Sequence, residues 1–300
     1  MIWCSGWELA SAVSNAGGLG LIGSGSMYPD VLRQHIRKCK AATDKPFGVN
    51  LPLIYPQAED HINVIVEEGV KIVFTSAGNP AKYTSFFKEK GLTVVHVIAN
   101  TKFARKSEES GVDAIVAEGF EAGGHDGIEE TTTMALVPMI REVTTLPLIA
   151  AGGIASGRSM LAAFALGAEG VQVGSRFAAS VESSGHPAFK EAIINASDGA
   201  TKLTLKKIIP VRMIKNAFYE QVRELEDKGA SREELAELLG RGRAKRGMFE
   251  GKLDEGELEI GQVSGLIHEL MPAGRIVEEM VNEFNWMIGR LGDFGNLEMR

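Results

Sequence analysis

The chain has 300 residues, 44% of them hydrophobic and 24% charged, with a formal net charge of -7. Those proportions fit a soluble globular protein of one large domain, or one domain plus an appendage. The acidic balance, with a pI near 5.5, argues against nucleic-acid binding, which calls for a basic face.

Helical and strand patterns alternate along the chain with glycine between them, which predicts a parallel α/β sheet. Trp7–Ala16 reads as a helix that ends at Gly17-Gly18, and Leu19–Gly23 as a short strand. A helix over Tyr28–Ala42 leads to a strand at Pro46–Leu53. A helix at Ala58–Gly69 precedes a strand at Val70–Thr75, and one at Ala81–Lys90 precedes a strand at Thr93–Ile98. The helix Thr101–Ser110 leads to a strand at Ala114–Ala117. Met134–Thr144 and Gly157–Leu166 are helices, each followed by a strand, at Pro147–Ala151 and Gly170–Gly174.

An eighth strand ahead of Trp7 would complete a (β/α)₈ barrel. The residues there leave almost no room for it, so the first barrel strand is expected to be missing and the start truncated. A doubly wound open sheet is the rival fold. No G-x-G-x-x-G follows the first strand, which weakens the dinucleotide-binding version of it. Beyond residue 180 the pattern becomes helical, at His186–Ala196, Thr204–Leu225 with a break near Pro210, Arg232–Leu239, Gly261–Leu270 and Gly274–Leu291. The expected layout is a barrel over residues 1–200 and a helical segment, 201–300, packed on it.

Only Cys4 and Cys39 are present, which is no disulfide framework and fits a reducing, cytoplasmic setting. No apolar run reaches membrane-spanning length, and the start lacks the pattern of a signal peptide, so no membrane partner is expected. Nothing resembles a C-x-x-C or H-E-x-x-H metal site.

The chemistry centres on residues 114–127, AIVAEGFEAGGHDG. An apolar strand feeds a glycine-rich loop that carries Glu118, Gly123, Gly124 and His125. Glycine lets backbone approach a ligand closely, and histidine is the side chain most easily tuned for proton transfer near neutral pH. Alone, the histidine reads as an ordinary exposed loop residue. Two later glycine turns, Gly152-Gly153 and Gly174-Ser175, follow successive strands and precede helices. In a barrel these turns occupy the usual phosphate site, so a phosphorylated cofactor or substrate is expected there. Of the other histidines, His96 reads as a core residue, His35 and His61 as surface residues, His186 as a helix cap and His268 as structural. The basic loop Arg241–Arg246 reads as a solvated surface, or as a patch for an anionic ligand.

AEGFEAGGHDG, PLIAAGGIASG and GVQVGSRF, with NAGGLGLIG, PFGVN and SAGNP, closely resemble the nitronate monooxygenase (2-nitropropane dioxygenase) family. They equally resemble the FMN-dependent enoyl-acyl carrier protein reductases that share its fold. The resemblance covers residues 1–200 strongly and the remainder loosely. It implies an FMN-containing TIM barrel. Gly152, Gly153, Gly174 and Ser175 would hold the FMN phosphate. Asn50, Glu118 and Gln172, with Gly123 and Gly124, would contact the flavin or its chain. Met1 matches the last residue of a family motif that ends the first barrel strand, and His125 matches the active-site histidine. The implied activity is oxidation of alkyl nitronates with O2, with NAD(P)H-dependent reduction of an enoyl thioester, acyl carrier protein being the partner, as the alternative. The serine of the best-studied monooxygenases is not matched, because Glu259-Ile260 stand in its place before Gly261. A non-catalytic flavin- or phosphate-binding protein and a phosphosugar isomerase are outside readings. A homodimer is an admissible assembly.

Overall fold

The computed structural model describes residues 1–291. Its main sheet has seven parallel strands in the order β1 to β5, then β7 and β8. They are β1 (Gly20–Gly23), β2 (Phe47–Pro52), β3 (Ile72–Ser76), β4 (Thr93–Ile98), β5 (Ala114–Glu118), β7 (Leu148–Ala151) and β8 (Gly170–Gln172). The two-residue strand β6 (Gly124–His125) lies outside this sheet. The core strands are nearly continuous apolar runs, as expected where a parallel sheet is covered on both faces.

Helices alternate with the strands: α1 (Trp7–Asn15), α2 (Pro29–Ala42), α3 (Ala58–Glu67), α4 (Thr84–Glu89), α5 (Thr101–Glu109), α6 (Thr133–Arg141), α7 (Gly157–Ala165) and the short α8 (Ser175–Ala178). One large apolar core, from Leu9 through Val73 and Ile115 to Met280, runs between the helices and the sheet.

The sheet curls into a TIM barrel. Among the described residues no strand lies between β1 and β8; Met1 lies there instead. A Cβ built on Gly23 would stand 2.6 Å from the Met1 carbonyl oxygen, and one built on Gly174 would stand 3.8 Å from the Met1 side chain. The long helix α12 (Ala273–Leu291) covers the same gap, packing on α7 and α1. Its closest approach is at Gly157, where a Cβ would meet the Phe284 nitrogen at 2.3 Å and the Met280 oxygen at 2.4 Å. Glu283 fixes this crossing by accepting hydrogen bonds from Gly157 N (2.9 Å) and Arg158 Nε (2.8 Å).

Between α8 and α12 lie α9 (Pro187–Ile194), strands β9 (Thr201–Thr204) and β10 (Val211–Ile214), α10 (Ala217–Asp227) and α11 (Arg232–Leu239). This corrects the expected helix over Thr204–Leu225. The stretch opens as a hairpin-like strand pair, and only its end, α10, is helical. Short T-K-L-T and V-R-M-I runs with Pro210 between them suit antiparallel pairing, and β10 also recruits β6 to make a three-stranded sheet. The expected helix Gly261–Leu270 is reduced to one tight turn, Gln262–Leu266. Residues 205–235 bury a small core of their own around Val211, Phe218, Val222 and Leu235. The serine before α11 forms a reciprocal cap with Glu234, as its spacing predicts.

His61 is another correction. It is buried, with Nε2 2.9 Å from the Met27 carbonyl oxygen, because α3 turns that face toward the chain after β1. His96 is in the core as expected, 2.7 Å from the Thr75 hydroxyl, and burial lowers it to about 4, so it is neutral. His186 accepts a hydrogen bond from Ala188 N and caps α9.

Candidate active site

The carboxyl ends of the barrel strands bring the chemistry together. Pairing puts Glu118 level with Ala151 and Ala151 level with Gln172, so Glu118 and Gln172 lie in one row. On the first strands Gly23 is level with Asn50. Asn50 donates from Nδ2 to the Phe74 carbonyl (3.1 Å) and lies 3.3 Å from the Ser76 hydroxyl, which leaves its Oδ1 for another partner.

From Glu118 the chain runs through Gly119–Gly123 and emerges as β6. Tight packing shapes this loop. A Cβ on Gly123 would fall 2.4–2.5 Å from the backbone of Ile260 and Gly261, and one on Gly124 would fall 2.8 Å from Glu259 Oε2. Gly124 has φ of +85°, a conformation that suits glycine. The Glu121 carboxylate accepts from Thr133 N and Thr133 Oγ1, both at 2.9 Å, and holds the start of α6. His125 is exposed on β6, beside the barrel mouth.

The two glycine turns stand beyond β7 and β8. Gly152 and Gly153 have φ of +86° and +71°. A Cβ on Gly152 would lie 2.5 Å from the Gly119 carbonyl oxygen, so this turn and the His125 loop pack as one unit. Ser175 Oγ accepts from Gly261 N at 2.9 Å, and its own proton is left to donate. The segment 259–262 thus touches the His125 loop and the β8 turn together, a junction absent from the periodic pattern of the sequence.

The carboxyl groups here are unusual. Burial raises the half-buried Glu118 to about 7. Burial raises both Glu257 and Glu259, and repulsion from Glu259 adds to the rise at Glu257; His125 acts in the opposite sense on Glu259. Asp126 is more extreme. Its side chain is 1% exposed, and neither oxygen has a hydrogen-bond partner among the described residues. Burial, reinforced by Glu118 and opposed by Arg212, pushes it up to about 8. Its nearest cation, Arg212 Nε, is 4.0 Å away, too far for a hydrogen bond, so at neutral pH we count Asp126 as a largely protonated acid and not as half of an ion pair.

Asp126 holds its proton to about pH 8 when folded, against an ordinary value of 3.8. The stability it contributes is fully present below pH 4 and is lost as pH rises through 8. The urea midpoint should therefore fall between pH 5 and pH 8.5, and fall less in Asp126→Asn. Equal falls in the two proteins would mean that Asp126 is not a buried, proton-holding group.

Asp126, Arg212 and Glu257 are the residues that sequence reasoning missed, and Glu259 entered it only as the occupant of the serine's place. Asp126 stands beside the histidine and could have been found by that adjacency. Among the described residues, no cluster of three or more His, Cys, Asp or Glu could hold a metal ion, and no helix is long and apolar enough to cross a membrane.

Glu118, His125 and the two glycine turns stand together at the carboxyl ends of a parallel α/β barrel, the face on which enzymes of this fold carry their active sites. The chain matches the model of the nitronate monooxygenase family over residues 1–61 and 57–283, and it belongs to that family. It is an oxidoreductase of this FMN-dependent group. The structure of FabK from Thermotoga maritima superposes with a TM-score of 0.93 at 45% identity, covering 98% of this chain and 94% of that one. A nitroalkane oxidase from Streptomyces ansochromogenes gives a TM-score of 0.85 at 26% identity, covering 97% and 95%. A (3aS,4S,5R,7aS)-5-hydroxy-7a-methyl-1-oxo-octahydro-1H-indene-4-carboxyl-CoA dehydrogenase from Mycobacterium tuberculosis is 32% identical, covering 94% of this chain and 90% of that protein.

Proposed function

We propose that the chain is an FMN-dependent enoyl-thioester reductase that draws electrons from NADH or NADPH. The observation that carries this is the 45% identity to FabK across 98% of the chain. FabK is an FMN-dependent enoyl-acyl carrier protein reductase, one of the two activities that the motifs resemble. The relative from M. tuberculosis also bears a thioester in its name. Nitronate oxidation is the second reading, favoured by the family match and by the likeness to nitroalkane oxidase.

The residues fit FMN. The positive-φ turn at Gly152-Gly153 and the Gly174-Ser175 turn, with the free Ser175 proton, would hold its phosphate. Asn50, Glu118, Gln172 and the Gly123-Gly124 backbone would line the rest of it, with Met1 at the rim. When bound, FMN supplies the hydride chemistry. His125 polarises the thioester carbonyl or delivers the proton that completes the saturated product.

In the basic loop, Arg243 is committed internally, donating to the Leu238, Leu239 and Glu255 carbonyls. Lys245 pairs with Glu250 at 3.3 Å. Arg241 and Arg246 remain exposed and are the residues we assign to the phosphates of a nicotinamide nucleotide or an acyl carrier protein.

The FMN-loaded protein supplied with NADH or NADPH and a crotonyl thioester should yield the butyryl thioester in proportion to nicotinamide consumed. Oxygen uptake driven by a nitronate, with no butyryl product, would select the second reading.

A further inference from the structure

Arg212 is an arginine with 2% exposure in a site whose known parts do not require it. A charged guanidinium in that position needs several partners to offset its lost hydration. The structure shows where they are. Nε and Nη2 both donate to one carbonyl oxygen, that of Phe120, at 3.1 and 2.8 Å. The guanidinium carbon sits 4.5 Å from the centre of the Phe120 ring. Nη1 reaches the Thr201 hydroxyl on β9 at 3.5 Å.

The backbone of the same residue makes a second connection. In the β6–β10 pair, Arg212 stands opposite Gly124 and Val211 opposite His125. One residue therefore holds both ends of the stretch Phe120–Gly124, its side chain at one end and its main chain at the other. That stretch, F-E-A-G-G, has little stiffness of its own, and two glycines raise the entropy that must be removed to hold it in one shape. The forked grip of the arginine on the Phe120 carbonyl is a short cross-link over it, one that a lysine cannot reproduce.

We propose that Arg212 is a positioning residue for His125: its grip on the Phe120 carbonyl, combined with the Gly124 pairing, sets where the histidine crosses the barrel mouth. This rests on the reading of His125 given above. Arg212 touches neither substrate nor flavin in this account and acts only through the loop.

The test is a double-mutant cycle on the FMN-loaded enzyme, using crotonyl thioester and the preferred nicotinamide. Arg212→Lys should lower kcat about tenfold or more, with the KM for the thioester and the retained flavin absorbance within about threefold of the parent. In a His125→Ala background the same change should alter kcat by less than about twofold, because the group being positioned is gone. A role confined to stability would instead show equal factors in the two backgrounds, and that result, or an unchanged kcat for Arg212→Lys, overturns the proposal alone. If His125→Ala by itself leaves turnover unchanged, the reading of the site fails and this inference with it. Should Arg212→Lys not fold, Phe120→Leu removes only the ring beneath the guanidinium. It should give the same pattern with a fall of about threefold, and equal factors in the two backgrounds would again overturn the proposal.

Discussion

Replacing His125 with alanine should slow enoyl-thioester turnover by about 10²- to 10⁴-fold, the range for loss of a positioned acid or base. Thermal stability and flavin content should stay near those of the parent. The expectation combines a large chemical effect with a small structural one, and the geometry explains both. His125 is exposed at the end of a two-residue strand. The loop behind it is held by other groups: Gly123 against Ile260 and Gly261, Glu121 against Thr133, and Arg212 against Phe120. Removing the imidazole breaks none of these. Turnover within about threefold of the parent would remove the histidine from the chemistry.

The second large effect concerns the turn after β7. Gly152→Val should release FMN, with affinity down by about 30- to 150-fold, or about 2–3 kcal/mol. Gly152 has φ of +86°, which costs a branched residue about 1–2 kcal/mol. Its added Cβ would also stand 2.5 Å from the Gly119 carbonyl oxygen and 3.1 Å from Thr133 Oγ1. Neither neighbour can yield easily: Gly119 N is bonded to the Ala151 carbonyl, and Thr133 opens α6. The turn itself must move, and the proposed phosphate site moves with it. Titration of the apoprotein with FMN, followed by flavin fluorescence, measures the change. A dissociation constant within threefold of the parent would show that the phosphate is held elsewhere.

Much of the barrel was legible in the sequence because its strands are short apolar runs closed by glycine, and its helices carry one apolar face. Thr93–Ile98 has the same bounds as sequence pattern and as β4. The glycine turns were legible for a related reason: positive φ restricts residue choice, and Gly152 and Gly153 both adopt it. Pattern reading failed where a strand was four residues long and lay beside a strong helix signal. V-R-M-I is too short to outweigh the helical pattern of Ala217–Asp227, so β10 read as part of that helix, and most of T-K-L-T ahead of it was assigned to no element. It also failed where the partner was remote. Arg212 and the carbonyl it grips are 92 residues apart in sequence. Glu259 meets Gly124 only because residues 259–262 return across the mouth. Burial of His61 depends likewise on a Met27 carbonyl supplied by a neighbouring loop.

Anaerobic mixing of the FMN-loaded protein with NADH or NADPH, and separately with a nitronate, tests the central claim most directly, with flavin absorbance as the signal. We expect a nicotinamide to bleach the flavin rapidly, crotonyl thioester to restore the absorbance, and the nitronate to leave it unchanged. Bleaching by the nitronate alone, with indifference to both nicotinamides, would contradict the reductase assignment and establish nitronate oxidation in its place.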